Sequence, residues 1–309
     1  GVRPSIGFSP ETLPPSGLYA VAALSGLVDV DAITLSMAEL AQSGQMRTAV
    51  IAITIAALSN TLVKCGMVVV LAGLALGKPI RVKLALDCGW TGTYTSQNVI
   101  GEMRGHGKAD EVVVIGGHLD SWDLGTGAID DGAGVAIAMG AGKLIGEMKQ
   151  RPARTIRVVA FANEEQGLFG GRAYGEKHVA EVRKHQIGAE SDFGAGRVYA
   201  FSTSAPDYAQ AAAKQIADVL APLGIAYTPG EGGPGPDVGP FAANGLAWAA
   251  LRQDGTDYFD YHHTPDDTLD KIRPKDMAQN VAAYAVFAYL AADAQGDFGS
   301  KPGKVTPPH

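Results

Sequence analysis

The stretch VVVIGGHLDSWDLGTGAIDDGAG, residues 112–134, decides the fold of this chain. Its first part, extended back to EVVVIGG at 111–117, is a continuous apolar run rich in β-branched residues, the pattern of a strand covered on both faces. Gly116 and Gly117 break the run immediately before His118, and Asp120, Asp123, Asp130 and Asp131 follow in the loop. GAGVAIAMGAGKLIGEM, residues 132–148, then reads as a helix of small residues. A buried strand, an acidic loop and a helix are the opening of a βαβ unit.

Working outward, TIRVVAFAN (155–163) is a second buried strand, and RVYAFST (197–203) and LAWAALR (246–252) are two more. IRVKLAL (80–86) and QNVIGEM (97–103) alternate as half-buried strands. Residues 170–184, 208–223 and 274–292 carry helical spacing. Strands alternating with helices predict an α/β fold of three layers, αβα, around a mostly parallel mixed sheet. The chain has 309 residues, 46% hydrophobic and 18% charged, enough for one large core. Its net charge of −7 argues against a nucleic-acid partner, because phosphate binding wants a basic face. Cys65 and Cys88 fit one bridge or two free thiols equally.

The N-terminal quarter is harder to read. Residues 29–45 have helical spacing, and residues 48–77 are almost wholly apolar, with Lys64 as their one charge. A membrane hairpin is one reading, since a spanning helix needs about 20 apolar residues. The reading adopted is a buried strand and a helix separated by a turn at Ser59–Thr61, with no membrane partner. The expected organisation is an N-terminal segment, 1–78, a catalytic domain, 79–295, and a loosely attached tail, 296–309.

In open α/β sheets, function collects in loops at the carboxyl ends of strands. Four such loops carry acids and histidines here: His118 to Asp131; NEEQG with Glu164 and Glu165; ESD with Glu190 and Asp192; and DYFDYHHTPDDTLD with His262, His263, Asp266 and Asp267. Taken singly, each has a bland reading. His118 could be a loop histidine bonded to Asp120, and the glutamate pair a solvated face. Jointly, so many carboxylates at one sheet edge would repel one another without a cation. Imidazole and carboxylate donors without thiolate suit zinc, cobalt or manganese, and more than four ligands suit a pair of ions sharing a carboxylate.

GGHLDSWDLGTGAIDDGAG, FANEEQGLFGG, ESD and YHHTPDDTLDKI, in this order, resemble the co-catalytic di-zinc aminopeptidase superfamily, over residues 79–292. The likeness is strongest to its carboxypeptidase Q branch, and extends to bacterial leucyl-type aminopeptidases and glutamate carboxypeptidase II. The resemblance implies a phosphorylase/hydrolase-like fold and two Zn2+ per chain. It implies that His118 and Asp192 hold one ion, that Glu165 and His263 hold the other, and that Asp130 bridges them. Glu164 becomes the general base, Asp120 an orienting partner of His118, and Asp267 a partner near His263. The implied activity is an exopeptidase, aminopeptidase or dipeptidase, on peptides with unblocked N-termini. Carboxypeptidase action and a non-catalytic binding role are the alternatives; complete retention of the motif residues weighs against the latter. A secreted or periplasmic location, with a leader removed, and a possible homodimer are further expectations.

Two departures from the family pattern stand out. No tyrosine occurs in GEGGPGPDVGPF, where leucyl-type members place one near the oxyanion, which leaves Tyr258, Tyr261, His262 and Asp237 as candidates for substrate or oxyanion contact. A protease-associated insert usually precedes the catalytic motifs; AALSN…LALGKPIRVKLAL, residues 56–86, resembles only its trailing edge, and residues 1–78 are too short and too apolar for the whole module. Arg172 and Arg252 are the candidates for holding a substrate carboxylate.

Overall fold

The computed structural model describes residues 15–26, 46–76, 92, 95–122 and 124–302. The chain divides into two compact units, residues 1–91 and 92–309, so the junction expected at 78/79 falls inside the first unit.

In the first unit, α1 (Pro15–Gly26) packs against α2 (Met46–Leu76). The contact is made of small residues: Ala22, Ala52 and Ala56 are fully buried. Helix α2 is continuous, which corrects the expected strand, turn and helix. Ser59, Asn60 and Thr61 do not break it because none is Gly or Pro, and Thr61 Oγ1 donates to the Ala57 carbonyl one turn back at 2.9 Å. Leu58, Leu62 and Val70 stand exposed along it, and Cys65 is an exposed free thiol. Among the described residues no helix is long and apolar enough to cross a membrane. The expected helix at 29–45 and strand at 80–86 lie outside the described residues.

In the second unit, β1 (Val99–Met103), β2 (Lys108–His118), β3 (Arg154–Phe161) and β4 (His185–Glu190) form a sheet in the order β1-β3-β2-β4. Strands β2, β3 and β4 run parallel, and β1 is antiparallel to β3. A second sheet has β5 (Val198–Thr203) between β6 (Ala226–Tyr227), parallel to it, and β7 (Ala249–Gln253), antiparallel. A parallel bridge from Gly188 to Trp248 links the two. The sheet is therefore mixed, with its parallel strands at the centre.

Alternation along β2 explains the layers. Val113 and Ile115 face one core, with Ile137, Ala141 and Ile145 of α3 (Ala133–Gly146) and Tyr284, Phe287 and Ala288 of α8 (Pro274–Asp293). Val112 and Val114 face the other, with Tyr174 of α4 (Phe169–His178) and Phe241 of α6 (Gly239–Ala243). Each such aliphatic side chain contributes about 1.5–3 kcal/mol on burial, so both faces of the apolar run are used. Helix α5 (Gln210–Leu220) covers the second sheet, and α7 (Tyr258–Tyr261) is a single turn ahead of His262.

Strand β4 is absent from the sequence reading. HQIGAE has only Ile187 and Ala189 as apolar markers, yet all six residues are buried. Its polar entry is satisfied internally, with His185 Nε2 3.0 Å from Tyr174 Oη. This strand ends two residues before Asp192, so it sets that carboxylate at the same sheet edge as His118 and the NEEQG loop.

Candidate metal centre

His118 is the last residue of β2 and is 1% exposed. Gly117 before it is required by close approach: a Cβ there would lie 2.4 Å from Asp131 Oδ2. His118 Nδ1 lies 3.0 Å from the Asp120 carbonyl oxygen, which only accepts, so Nδ1 carries the proton. That leaves Nε2 facing Asp130 Oδ1 at 3.1 Å and Asp192 Oδ1 at 3.6 Å. The Asp130–Asp131 peptide is cis. On the other side, His263 Nε2 lies 3.1 Å from Asp130 Oδ2 and 2.9 Å from Glu165 Oε2. Asp130 thus turns one carboxylate oxygen to each imidazole.

Asp120 does more than orient His118. Its two oxygens accept from Glu164 N at 2.9 Å and Glu165 N at 3.1 Å, fixing the NEEQG backbone against the end of β2. Asn98, which the sequence reading passed over, holds the same loop: Oδ1 accepts from Ala162 N, and Nδ2 donates to the Gly170 carbonyl. Asn163 and Leu168 within that loop adopt left-handed φ of 58° and 59°, a conformation uncommon outside glycine. Asp267, whose N–H closes a turn on the Thr264 carbonyl at 3.1 Å, turns its carboxylate to the segment of Asp130. It is buried, and its oxygens accept from Ile129 N at 2.5 Å and Asp130 N at 3.2 Å, so it holds the shared aspartate from below. Asp131 is fully buried, with Oδ2 accepting from His118 N and Oδ1 from Gly134 N, a backbone anchor rather than a free ligand.

Two triads have donor atoms close enough to share an ion: His118, Asp130 and Glu165, and His118, Asp131 and Asp192. Two carboxylate oxygens there, Glu165 Oε1 and Asp192 Oδ1, are buried with no hydrogen-bond partner, an arrangement costly unless a cation meets them. The electrostatics agree. Burial, then Asp192, pushes Glu164 up to about 7, and burial, then Asp130, pushes Glu165 up to about 7. Burial opposes a charge on His118, but Asp120, Asp130 and Asp192 together raise it. Carboxylates crowded until they hold protons are what a divalent ion relieves. The donor set of imidazole and carboxylate fits zinc.

The four candidates for substrate contact separate clearly. Asp237 is 1% exposed, and Oδ1 accepts from Gly171 N; burial, then Glu164, pushes it up to about 8. Tyr261 lies under Lys271 Nζ, 5.5 Å from its ring centroid. Tyr258 is buried behind His262, ring centroids 4.7 Å apart, and His262 lies 4.4 Å from the His263 ring. Trp122, which lies in the first motif but was given no role by the sequence reading, stacks on His263 at 5.0 Å and 20°.

The sequence matches Peptidase family M28 over residues 98–288. A separate match, to a domain of unknown function (DUF4010), covers residues 6–72. Carboxypeptidase Q of Mus musculus is 37% identical over 219 residues, 70% of this chain and 46% of that protein. Carboxypeptidase Q of Homo sapiens is 35% identical over 198 residues, 64% and 42% of the two chains. The structure of a peptidase M28 precursor from Shewanella amazonensis is 54% identical, with a TM-score of 0.64, covering 67% of this chain and 47% of that one. A zinc aminopeptidase from Bacillus subtilis shares the fold, at 20% identity and a TM-score of 0.52, over 67% and 53%. The chain spans about half the length of these relatives.

Proposed function

The chain belongs to peptidase family M28, and from that premise we propose that it is a two-zinc exopeptidase that removes unblocked N-terminal residues from peptides, dipeptides included. The observation that carries the reading is Asp130, with Oδ1 3.1 Å from His118 Nε2 and Oδ2 3.1 Å from His263 Nε2. His118 and Asp192 would hold one ion, Glu165 and His263 the other, with Asp130 shared. When bound, the two ions polarise the scissile carbonyl and bring the pKa of a water toward neutrality. Glu164, adjacent in the chain to Glu165, would accept a proton from the attacking water and return it to the leaving amine. Asp120 holds the peptide units of Glu164 and Glu165 in place through their N–H groups. His262, its ring 4.4 Å from that of His263, is the donor assigned to the developing oxyanion; Tyr261 lies against Lys271, and Tyr258 is buried with its hydroxyl turned to Asp130.

An amino-terminal substrate is favoured by charge. Asp120 and Glu164 add acidic groups beside the five proposed ligands, and an acidic surround of this kind attracts an ammonium group. The test is a panel of free dipeptides, N-blocked peptides and amino-acid nitroanilides, assayed with and without zinc alongside elemental analysis. The expected result is two ions per chain at saturation and cleavage confined to free-amine substrates. Full activity at one ion per chain refutes the two-metal reading. Faster cleavage of N-acetylated peptides with a free C-terminus makes the enzyme a carboxypeptidase.

A further inference from the structure

Beside the metal centre lies a cavity of about 430 Å³, bordered by Asp192 and Phe193 on one side and by Tyr199, Arg252 and the glycine-rich residues 232–236 on the other. Arg252 is the one cation among its described lining residues. The two acids in the lining are already engaged: Glu190 is buried, with Oε1 and Oε2 accepting from Asp237 N and Val238 N, and Asp192 points at His118.

Arg252 sits on β7 in register with Ala200 of β5 and packs its guanidinium 5.4 Å from the neighbouring Tyr199 ring. Its Nη2 donates to Thr228 Oγ1 at 3.0 Å and to Glu231 Oε2 at 2.6 Å. Nε is buried with no hydrogen-bond partner. A guanidinium has five N–H donors in a fixed fork suited to a carboxylate, and here only one nitrogen is used. Glu231 is 59% exposed and lies on the glycine-rich segment, so this pairing is a weak, solvent-screened one that a better-placed carboxylate can replace. Gly232, beside the Arg252 side chain, adopts φ 86°, a conformation that favours glycine at this turn of the loop.

We propose that Arg252 is a specificity-determining residue, and that this cavity, beside Asp192, receives a carboxylate of the substrate: an acidic side chain or the C-terminal carboxylate of a dipeptide. Resting on the peptidase reading above, the proposal adds the substrate class. Tyr199 and Phe193 supply the apolar walls, and Arg252 exchanges Glu231 for the incoming carboxylate.

The test uses the zinc-loaded full chain and two substrate pairs. Glu-Ala-amide against Gln-Ala-amide isolates a side-chain carboxylate, and Ala-Gln against Ala-Gln-amide isolates a terminal one. The expected result is a kcat/KM preference of about 10- to 100-fold for the carboxylate member of one pair, the size of a charged hydrogen bond. The pair that responds identifies the source. Arg252→Gln removes the preference while leaving the neutral partners within about threefold, and Glu231→Ala, which frees the arginine without touching the centre, increases it. No preference in the wild type, or an equal loss on all four peptides in Arg252→Gln, overturns the proposal. Binding of free L-glutamate against L-glutamine, by calorimetry, separates this inference from the peptidase reading. A protein that cleaves nothing but prefers glutamate through Arg252 sinks only the latter, and equal binding with no cleavage preference sinks the former.

Discussion

His118 is 1% exposed at the end of a buried strand, whereas His263 is 39% exposed on a loop residue with a left-handed φ of 57°. The first inherits its position from the sheet: the strand fixes its backbone, Asp131 accepts its N–H, and Asp120 accepts from its ring. The second is assembled from distant parts. Trp122, from the loop after β2, covers its ring, and Glu165, from the loop after β3, meets its Nε2. The two halves share Asp130, which is itself held by Asp267 from the same segment as His263. The difference teaches that, on the proposed ligand assignment, one ion would have a seat fixed by a strand and the other a seat made by loops that must agree with one another.

Glu164 belongs to neither seat, and its replacement has the largest expected effect. Glu164→Gln should lower kcat by about 10²–10⁴-fold, the usual cost of losing a general acid–base group, while elemental analysis still finds two ions. Loss of an ion in this variant, with both retained in Glu165→Gln, would show that the two glutamates have exchanged roles.

Asp120→Asn tests whether the halves are joined. An amide can turn only one acceptor toward the N–H groups of Glu164 and Glu165, and its NH2 would face the other. Metal affinity should fall by about 10–100-fold in a competitive chelator titration, in the range seen for partners that orient ligands. An unchanged titration would mean that the loop is held by Asn98 alone.

Trp122→Ala sharpens the comparison, since it touches only the exposed half. The weaker of two metal-binding steps should weaken by about tenfold, the tighter one should not move, and Trp122→Phe should keep both. Equal weakening of both steps would erase the distinction between the seats.

The smallest effect is on stability against pH. Glu164 and Glu165 are pushed up to about 7 and Asp237 to about 8, so the metal-free folded state holds protons that the unfolded chain has released. His118, raised by its carboxylates, acts in the same direction above the ordinary histidine value of 6.5. His185, lowered to about 4 by burial, acts oppositely, but only below 6.5. The metal-free protein should therefore lose a few degrees of Tm between about pH 6.5 and 8, and the increment given by zinc should grow over the same interval. A Tm of the metal-free protein that rises across that window would refute the carboxylate crowding.

How much of this was legible depends on the type of signal. The apolar run ending in two glycines fixed β2, because only a strand buried on both faces uses such a run, and the acids after each strand end marked the edge where they meet. The same logic missed β4, where buried polar residues stand in place of apolar ones: His185 is met by Tyr174 and Arg157, and Glu190 by the N–H groups of Asp237 and Val238. It also put a turn at residues 59–61, where a threonine hydroxyl bonds within the helix instead.

By itself the sequence determined the alternation of strand and helix and the edge of the sheet where acids and histidines collect. Those follow from local periodicity and from residue types that have few other uses in such number. His118, Asp130, Glu165, Asp192 and His263 were singled out as a proposed ligand set only by the resemblance of their motifs. Only the tertiary structure decided who supports whom: that Asp120 carries the glutamate loop, that Asp267 carries Asp130, that Trp122 covers His263, and that Arg252 borders a cavity beside Asp192. These are contacts between residues far apart in the chain, set by strand register and loop closure, and no local pattern encodes a partner whose distance is fixed by the sheet.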